Sequence, residues 1–409
     1  MFMRALSFLV AVLLVLNCHL NEAAAKLFDD GLRVQVPDET ANQVWPDESW
    51  PVSTAEEQGI EQAAIDQLVA DIESGKYGLL DHFLLIRNGY IVADHHFEYD
   101  YEEIASEFDP TNHQYNYDHP AWHPYYDGSE LHSLQSVTKS VLSAAVGIAI
   151  AGGHLNGTTE KVLPYFEDYE FDRSDERKGK ITLADLLTMR SGIRWGTDAA
   201  YGTGEHSTDL LEASDEWIQF ILDQPMDADP GTVFEYNDGA SVLIGKVLSE
   251  ATGKRADLWA DERLFSPIGI GEFYWKITPD GEVDTEGGLY LKPHDLARIG
   301  LLFSRNGMWR DQQVIPESWV QKSTSPIIPD LAPGNDDFDR GYGYQWWIHQ
   351  HDGERSTVYS ASGYGGQFLQ VVPGKNIIVV FNAWNIHGGQ EMSHQLALEQ
   401  RILPAVKDE

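Results

Sequence analysis

Ser136, Val137, Thr138 and Lys139 open the segment SVLSAAVGIAIAGG, which is apolar on nearly every face of a helix. Such a helix has no solvated side, so it runs through the interior and the rest of the chain must wrap around it. Residues i and i+3 share a helix face, which lets the Lys139 amine reach the Ser136 hydroxyl. A serine hydroxyl becomes a useful nucleophile only when a base takes its proton. The spacing therefore makes Ser136 a candidate nucleophile and Lys139 a candidate base. A blander reading makes Ser136 a helix N-cap and Lys139 a solvated side chain. Against it, no other serine in the chain has a lysine at this offset. A lysine in the first turn of a buried helix also sits against the helix dipole, which favours a lowered pKa.

The chain of 409 residues begins MFMRALSFLVAVLLVLNCHLNEAAAK. A basic residue, an apolar run from Ala5 to Leu16 and small residues at Ala23 to Ala25 read as a secretory signal peptide, residues 1–25. The run is too short for a membrane span, and no later segment matches it without charges. The reading implies a periplasmic or secreted protein; a lipoprotein anchored through Cys18 is disfavoured, because Asn17 precedes that cysteine. Cys18 is the only cysteine, so a chain cut after Ala25 would have no disulfide, thiol nucleophile or cysteine metal site. The formal charge of −37 argues against nucleic acid or an anionic membrane as partner. It fits a saline habitat, where salt screens self-repulsion.

Residues 26–54 are polar and proline-bearing, and read as an extended arm before residues 55–409, a length that suits one large two-part domain or two modest ones. Ile60, Ile65, Leu68, Val69 and Ile72 recur at helical spacing, and Gly75 stops that helix. HFLLIRNGYIVADHHF follows, with Asn88-Gly89 as its hairpin turn. The stretch 94–128 is crowded with His, Asp, Tyr and Pro. His113, His119 and His123 make a metal site conceivable, but Pro120 and Pro124 break the helix that would align the last two, so a loop over the mouth of a site is preferred. ITLADLLTMRSGI, STDLLEASDEWIQFILDQ and ASVLIGKVLSEATGK form an inserted mainly helical region, roughly 165–285. PHDLARIGLLFSRNG adds a further helix. YGYQWWIHQ, TVYSASG, GQFLQVVPG and NIIVVFNAW then read as strands, with Gly374 in the turn between the last two. A helix from Gln390 to Leu403 closes the chain. This order implies an α+β fold: an antiparallel sheet drawn from both chain ends and flanked by helices.

Acyl transfer also needs a second proton-handling group and convergent N–H donors for the oxyanion. Tyr236 in PGTVFEYNDGASVLIG is one candidate, with a phenol that a nearby ammonium would make more acidic; a core tyrosine is the alternative. SASGYGGQFLQ supplies another, because glycines at a strand edge admit a ligand close to the backbone. There the amide of Tyr364 can pair with that of Ser136; a bulged hairpin explains the glycines equally well.

Taken in order, SxxK, the tyrosine motif and the glycine-rich strand resemble the serine β-lactamase and penicillin-binding-protein superfamily. The resemblance runs from about residue 55 to the end, and is closest to the branch of class C β-lactamases, family esterases and 6-aminohexanoate-dimer hydrolases. ITLADLLTMRSGIRW, PMDADPGTVFEYNDG, GGLYLKPHDLARIGLLFSRNGMWRDQQVIPESWV and GYGYQWW share it. It implies a β-lactamase/transpeptidase-like fold, Ser136 as acylated nucleophile, Lys139 as general base and Tyr236 as proton shuttle, with no metal or organic cofactor. Two departures bear on chemistry. Asp238 stands where the tyrosine motif usually ends in asparagine, an anion that would raise the Lys139 pKa and shift base work onto Tyr236. Ala361, Ser362 and Gly363 stand where many relatives carry Lys or His before Thr/Ser-Gly. A charge-assisted bond to a substrate carboxylate, worth roughly 1.5–3 kcal/mol, is thereby lost. The expected substrate is a small ester or linear amide rather than a penicillin. A peptidoglycan D,D-peptidase or weak β-lactamase, and a silent ligand-binding homologue, are the alternatives.

Overall fold

The computed structural model describes residues 43–100, 103, 104, 106, 129–196, 199–331, 340–351, 356–385 and 394–407. The leader, most of the extended arm, and His113, His119 and His123 lie outside the described residues.

Helix α1 spans Gln62–Glu73, and Gly75 follows it with φ +80°. Strands β1 (Leu80–Arg87) and β2 (Tyr90–His96) form the expected hairpin, with Asn88 and Gly89 both at positive φ. That is the backbone a two-residue turn between twisted strands requires. Strand β3 (His132–Ser133) leads into α2, Val137–Ala151. Every residue of α2 from Val137 to Gly147 is buried, as its apolar surface demands.

The middle of the chain is helical: α3 (Leu183–Leu187), α4 (Ser207–Glu212), α5 (Trp217–Asp223), α6 (Asp238–Thr252) and α7 (Ala256–Ala260). Thr182 and Asp185 make a reciprocal capping box on α3. The Asn237 side chain caps α6, and Gly253 ends it in the left-handed region. Strands β4 (Tyr274–Trp275) and β5 (Leu289–Leu291) pair with β3 in a small sheet ordered β3-β5-β4. Helix α8 (Pro293–Ser304) precedes the hairpin β6 (Met308–Trp309) and β7 (Gln312–Gln313), then α9, Glu317–Ser323.

The C-terminal third is β8 (Arg340–Tyr342), β9 (Trp347–His351), β10 (Ser356–Gly363), β11 (Gln367–Val372) and β12 (Ile377–Ala383). With β1 and β2 these make one antiparallel sheet, ordered β2-β1-β12-β11-β10-β9-β8. The sheet is thus drawn from both ends of the chain. YGYQWWIHQ is not one strand: the turn through Gln345, φ +64°, splits it into β8 and β9. Between β11 and β12 the left-handed residue is Asn376, φ +51°, rather than Gly374. Of the closing helix, α10 (His394–Ala397) continues as a wider turn over Leu398–Ile402.

Alternation along the central strands sorts side chains between two cores. Leu84, Ile86, Ile378 and Val380 join the larger core around α2, α6 and α8. Phe83, Leu85, Ile377, Val379 and Phe381 join a smaller core beneath α1 and Leu398–Leu403. Helices therefore cover both faces of the sheet. Among the described residues no helix is long and apolar enough to cross a membrane.

Candidate active site

Ser136 sits where β3 turns into α2. The turn is tight: Gln135 adopts φ +49°, an uncommon conformation for a residue with a side chain. Ser136 does occupy the N-cap position of α2, in the right-handed helical region, but its side chain makes no capping hydrogen bond. Its Oγ instead accepts a hydrogen bond from Lys139 Nζ at 2.9 Å.

The Lys139 side chain is 1 % exposed and surrounded by acceptors. Its Nζ donates to the Glu286 carbonyl at 2.6 Å, and lies 2.7 Å from Asp238 Oδ1 and 3.2 Å from Glu286 Oε2. Burial alone would favour the neutral amine, but Asp238, Tyr236 and Glu286 outweigh it and hold the pKa well above the usual lysine value. The lowered pKa expected from burial is therefore not found, whereas the raising effect expected of Asp238 is.

Asp238 is the first residue of α6, where the helix dipole favours an anion. Thr208 Oγ1 donates to its Oδ2 at 2.5 Å. Burial opposes its ionisation, but Lys139 and these hydrogen bonds prevail and lower its pKa. Glu286 is brought opposite by a turn in which Asp284 Oδ1 accepts from the amides of Glu286 and Gly287.

Tyr236 precedes α6, and its ring stacks on Trp347 with centroids 5.7 Å apart and planes 15° off parallel. Lys139 Nζ lies 5.3 Å from the ring centroid, and the phenol hydrogen-bonds Ser136. Burial raises the pKa of the phenol; Lys139 and Ser136 pull it down, Asp238 and Glu286 push it up, and the net shift is upward. The acidified phenol expected from sequence is thus not found: burial, helped by Asp238 and Glu286, outweighs the ammonium.

Ser136, Tyr236, Asp238, Ser362, Gly363 and Tyr364 all line one cavity of about 390 Å³, with Lys139 in its wall beside Ser136. The end of β10 lies against the turn before Ser136. A Cβ on Gly363 would stand 2.4 Å from the Leu134 carbonyl oxygen, so only glycine permits that approach. The Tyr364 ring meets Tyr201 edge to face, with centroids 5.2 Å apart.

Sequence reasoning missed Glu286 and Glu212, which lie in helical and turn segments with no local pattern to distinguish them from surface acids. Glu212 accepts a hydrogen bond from Tyr201 at 2.9 Å, and burial followed by repulsion from Glu286 raises its pKa well above the carboxylate range. The lining residues thus include three acids, Glu212, Asp238 and Glu286. Among the described residues that line it there is no arginine or lysine, and Ala361 is buried in the core rather than facing a substrate.

A large antiparallel sheet flanked by helices, with a serine and a lysine one turn apart at the start of the central helix, defines a β-lactamase/transpeptidase fold. Residues 83–399 match the family model described as Beta-lactamase. The chain belongs to that family, whose members are serine hydrolases. A Bacillus anthracis protein, proposed to be a 6-aminohexanoate-dimer hydrolase, superposes with a TM-score of 0.62 at 20% identity, over 85% of this chain and 86% of its own. EstCE1, a hydrolase with promiscuous acyltransferase activity, superposes with a TM-score of 0.58 at 15% identity, over 83% and 97% of the two chains. Penicillin-binding protein 4 of Amycolatopsis lactamdurans is 23% identical over 283 residues, 59% of this chain and 69% of that protein. The chain spans about a quarter of the length of the first curated relatives it matches.

Proposed function

We propose that this is a hydrolase of small esters or linear amides, acting through an acyl-enzyme on Ser136. The observation that carries the reading is the 2.9 Å contact between Lys139 Nζ and Ser136 Oγ inside a walled cavity. In its neutral form Lys139 takes the Ser136 proton as Oγ attacks the substrate carbonyl. The amides of Ser136 and Tyr364 hold the oxyanion. Tyr236, whose phenol keeps its proton because burial raises its pKa further above the ordinary value, gives that proton to the departing alcohol or amine. The phenolate left behind is stabilised by the Lys139 ammonium. In the second half the phenolate takes a proton from water, which attacks the acyl carbonyl, and Lys139 returns its proton to Ser136. Each group thereby ends as it began.

The acids Asp238 and Glu286 in the lining and the absent cation at Ala361 favour a neutral or cationic substrate over a carboxylate-bearing one. The decisive experiment is a panel of p-nitrophenyl esters, linear amides, D-alanyl peptides and nitrocefin against wild type and Ser136→Ala. Turnover of neutral esters or amides by wild type alone supports the reading. No turnover, together with no labelling of Ser136 by a fluorophosphonate, would overturn it in favour of a silent ligand-binding member.

The likeness to penicillin-binding protein 4 supports a second reading, a peptidoglycan D,D-peptidase. Labelling of wild type but not Ser136→Ala by a fluorescent penicillin would favour it. Export rests on the leader-like residues 1–25, and N-terminal sequencing of the mature chain tests cleavage after Ala25.

A further inference from the structure

A second cavity, of about 510 Å³, opens where β1, β2 and the start of α8 meet. Its histidines arise from strand periodicity. His82 pairs across the ladder with His96, and Asp94 pairs with Leu84, so all three side chains leave the hairpin on the face that α8 covers. The first turn of α8 brings His294 to them. His82 Nε2 lies 2.8 Å from Asp94 Oδ1, and His294 Nε2 lies 2.8 Å from Asp94 Oδ2. The donor atoms of His82, Asp94 and His294 all fall within 4.8 Å of one another.

A second observation comes from His132, on β3. It is 3 % exposed and lines the same cavity. Its ring is locked by stacking on Trp384 with centroids 3.8 Å apart. Its Nδ1 lies 3.0 Å from the Ser133 carbonyl, which can only accept, so Nδ1 carries the proton and Nε2 presents a lone pair. That Nε2 is buried with no hydrogen-bond partner; the nearest carboxylate oxygen, Asp81 Oδ2, is 3.8 Å away. An orphaned imidazole lone pair on a residue that lines the same cavity as His82 and His294 is what the water of a bound cation would satisfy.

We propose that His82, Asp94 and His294 bind one divalent transition-metal ion of the zinc type, with its remaining position open to the cavity. Two imidazoles and one carboxylate select zinc, cobalt or nickel over magnesium and calcium, which prefer all-oxygen sets. Bonds of about 2.0–2.2 Å put tetrahedral donors roughly 3.3–3.6 Å apart, so the two histidine–carboxylate pairs must open from 2.8 Å, while the two imidazole nitrogens already lie within 4.8 Å of each other. The proposal is independent of the chemistry assigned to Ser136, since none of these residues lines the Ser136 cavity.

The test is cobalt titration of the full chain after chelation and dialysis, read by visible absorption and by calorimetry, with zinc competition. One equivalent should bind with ligand-field bands, zinc should displace it, and a large excess of magnesium should not. The variant His82→Gln/His294→Gln should bind at least about 100-fold more weakly while keeping the wild-type circular dichroism. Zinc should raise the thermal midpoint of wild type and leave that of the variant unmoved. If wild type takes up no cobalt, if the folded variant binds as wild type does, or if magnesium displaces cobalt equally well, the proposal fails.

Discussion

The Lys139 ammonium is held 2.7 Å from the Asp238 carboxylate, inside a wall closed to solvent. An anion so near a buried lysine makes the neutral amine scarce at neutral pH. If Lys139 is the base, kcat/KM should rise with pH into the alkaline range. In Asp238→Asn the rising limb should move to lower pH, by about one to three units, since an adjacent opposite charge shifts a pKa by that much. A pH-rate profile that stays in place, or moves upward, would remove Lys139 from the base role.

Tyr236→Phe keeps the stack on Trp347 and deletes only the hydroxyl. The expected result is a loss of about 10²–10⁴ in kcat with little change in KM, the range for losing a general acid. The thermal midpoint should stay near wild type, because the ring and its packing remain. A fall in activity that tracked a fall in stability would point to a packing role instead.

Gly363→Ala places a methyl group 2.4 Å from the Leu134 carbonyl oxygen, a main-chain atom that cannot swing away. The end of β10 must retreat from the turn that carries Ser136. Misplacement by about 1 Å can cost on the order of 10²-fold. We expect slower ester hydrolysis and slower fluorophosphonate labelling, measured side by side with wild type. Unchanged rates of both would mean that the β10 end takes no part in the oxyanion site.

The net charge of −37 should make folding salt-dependent. Raising sodium chloride from low to molar concentration should raise the thermal midpoint as self-repulsion is screened. Calorimetric scans across that series check it; a flat or falling trend would sink the saline-habitat reading.

How much of this was legible in the sequence depends on the range of the interaction. The α2 helix, the Asn88-Gly89 hairpin and the C-terminal strands announce themselves through local periodicity and turn residues. The chain order of the motifs was enough to point to the fold. The pull of Asp238 on Lys139 was legible from the tyrosine motif, but the state of Tyr236 was not, because it depends on burial and on groups far apart in sequence. Lys139 belongs to one helix, Asp238 to another and Glu286 to a turn; their meeting, together with burial, decides that the lysine stays charged and that the phenol is not made more acidic. Glu212 escaped for the same reason. The split of β8 from β9 hinges on the backbone of Gln345, a residue type that gives no turn signal.

The pairing of Leu80 with Ala383 carries a consequence for how the protein comes into being. Strand β12 lies between β1 and β11, so the β1–β2 hairpin joins the remaining strands only through a segment far along the sequence from it. Contacts this distant along the chain make folding slow and leave strand edges open meanwhile. A ribosome-bound chain ending short of β12 holds Ser136 and Lys139 but not the sheet that seats them. A fragment lacking β12 cannot join the β1–β2 hairpin to the strands that carry Gly363, and should carry no residual esterase activity.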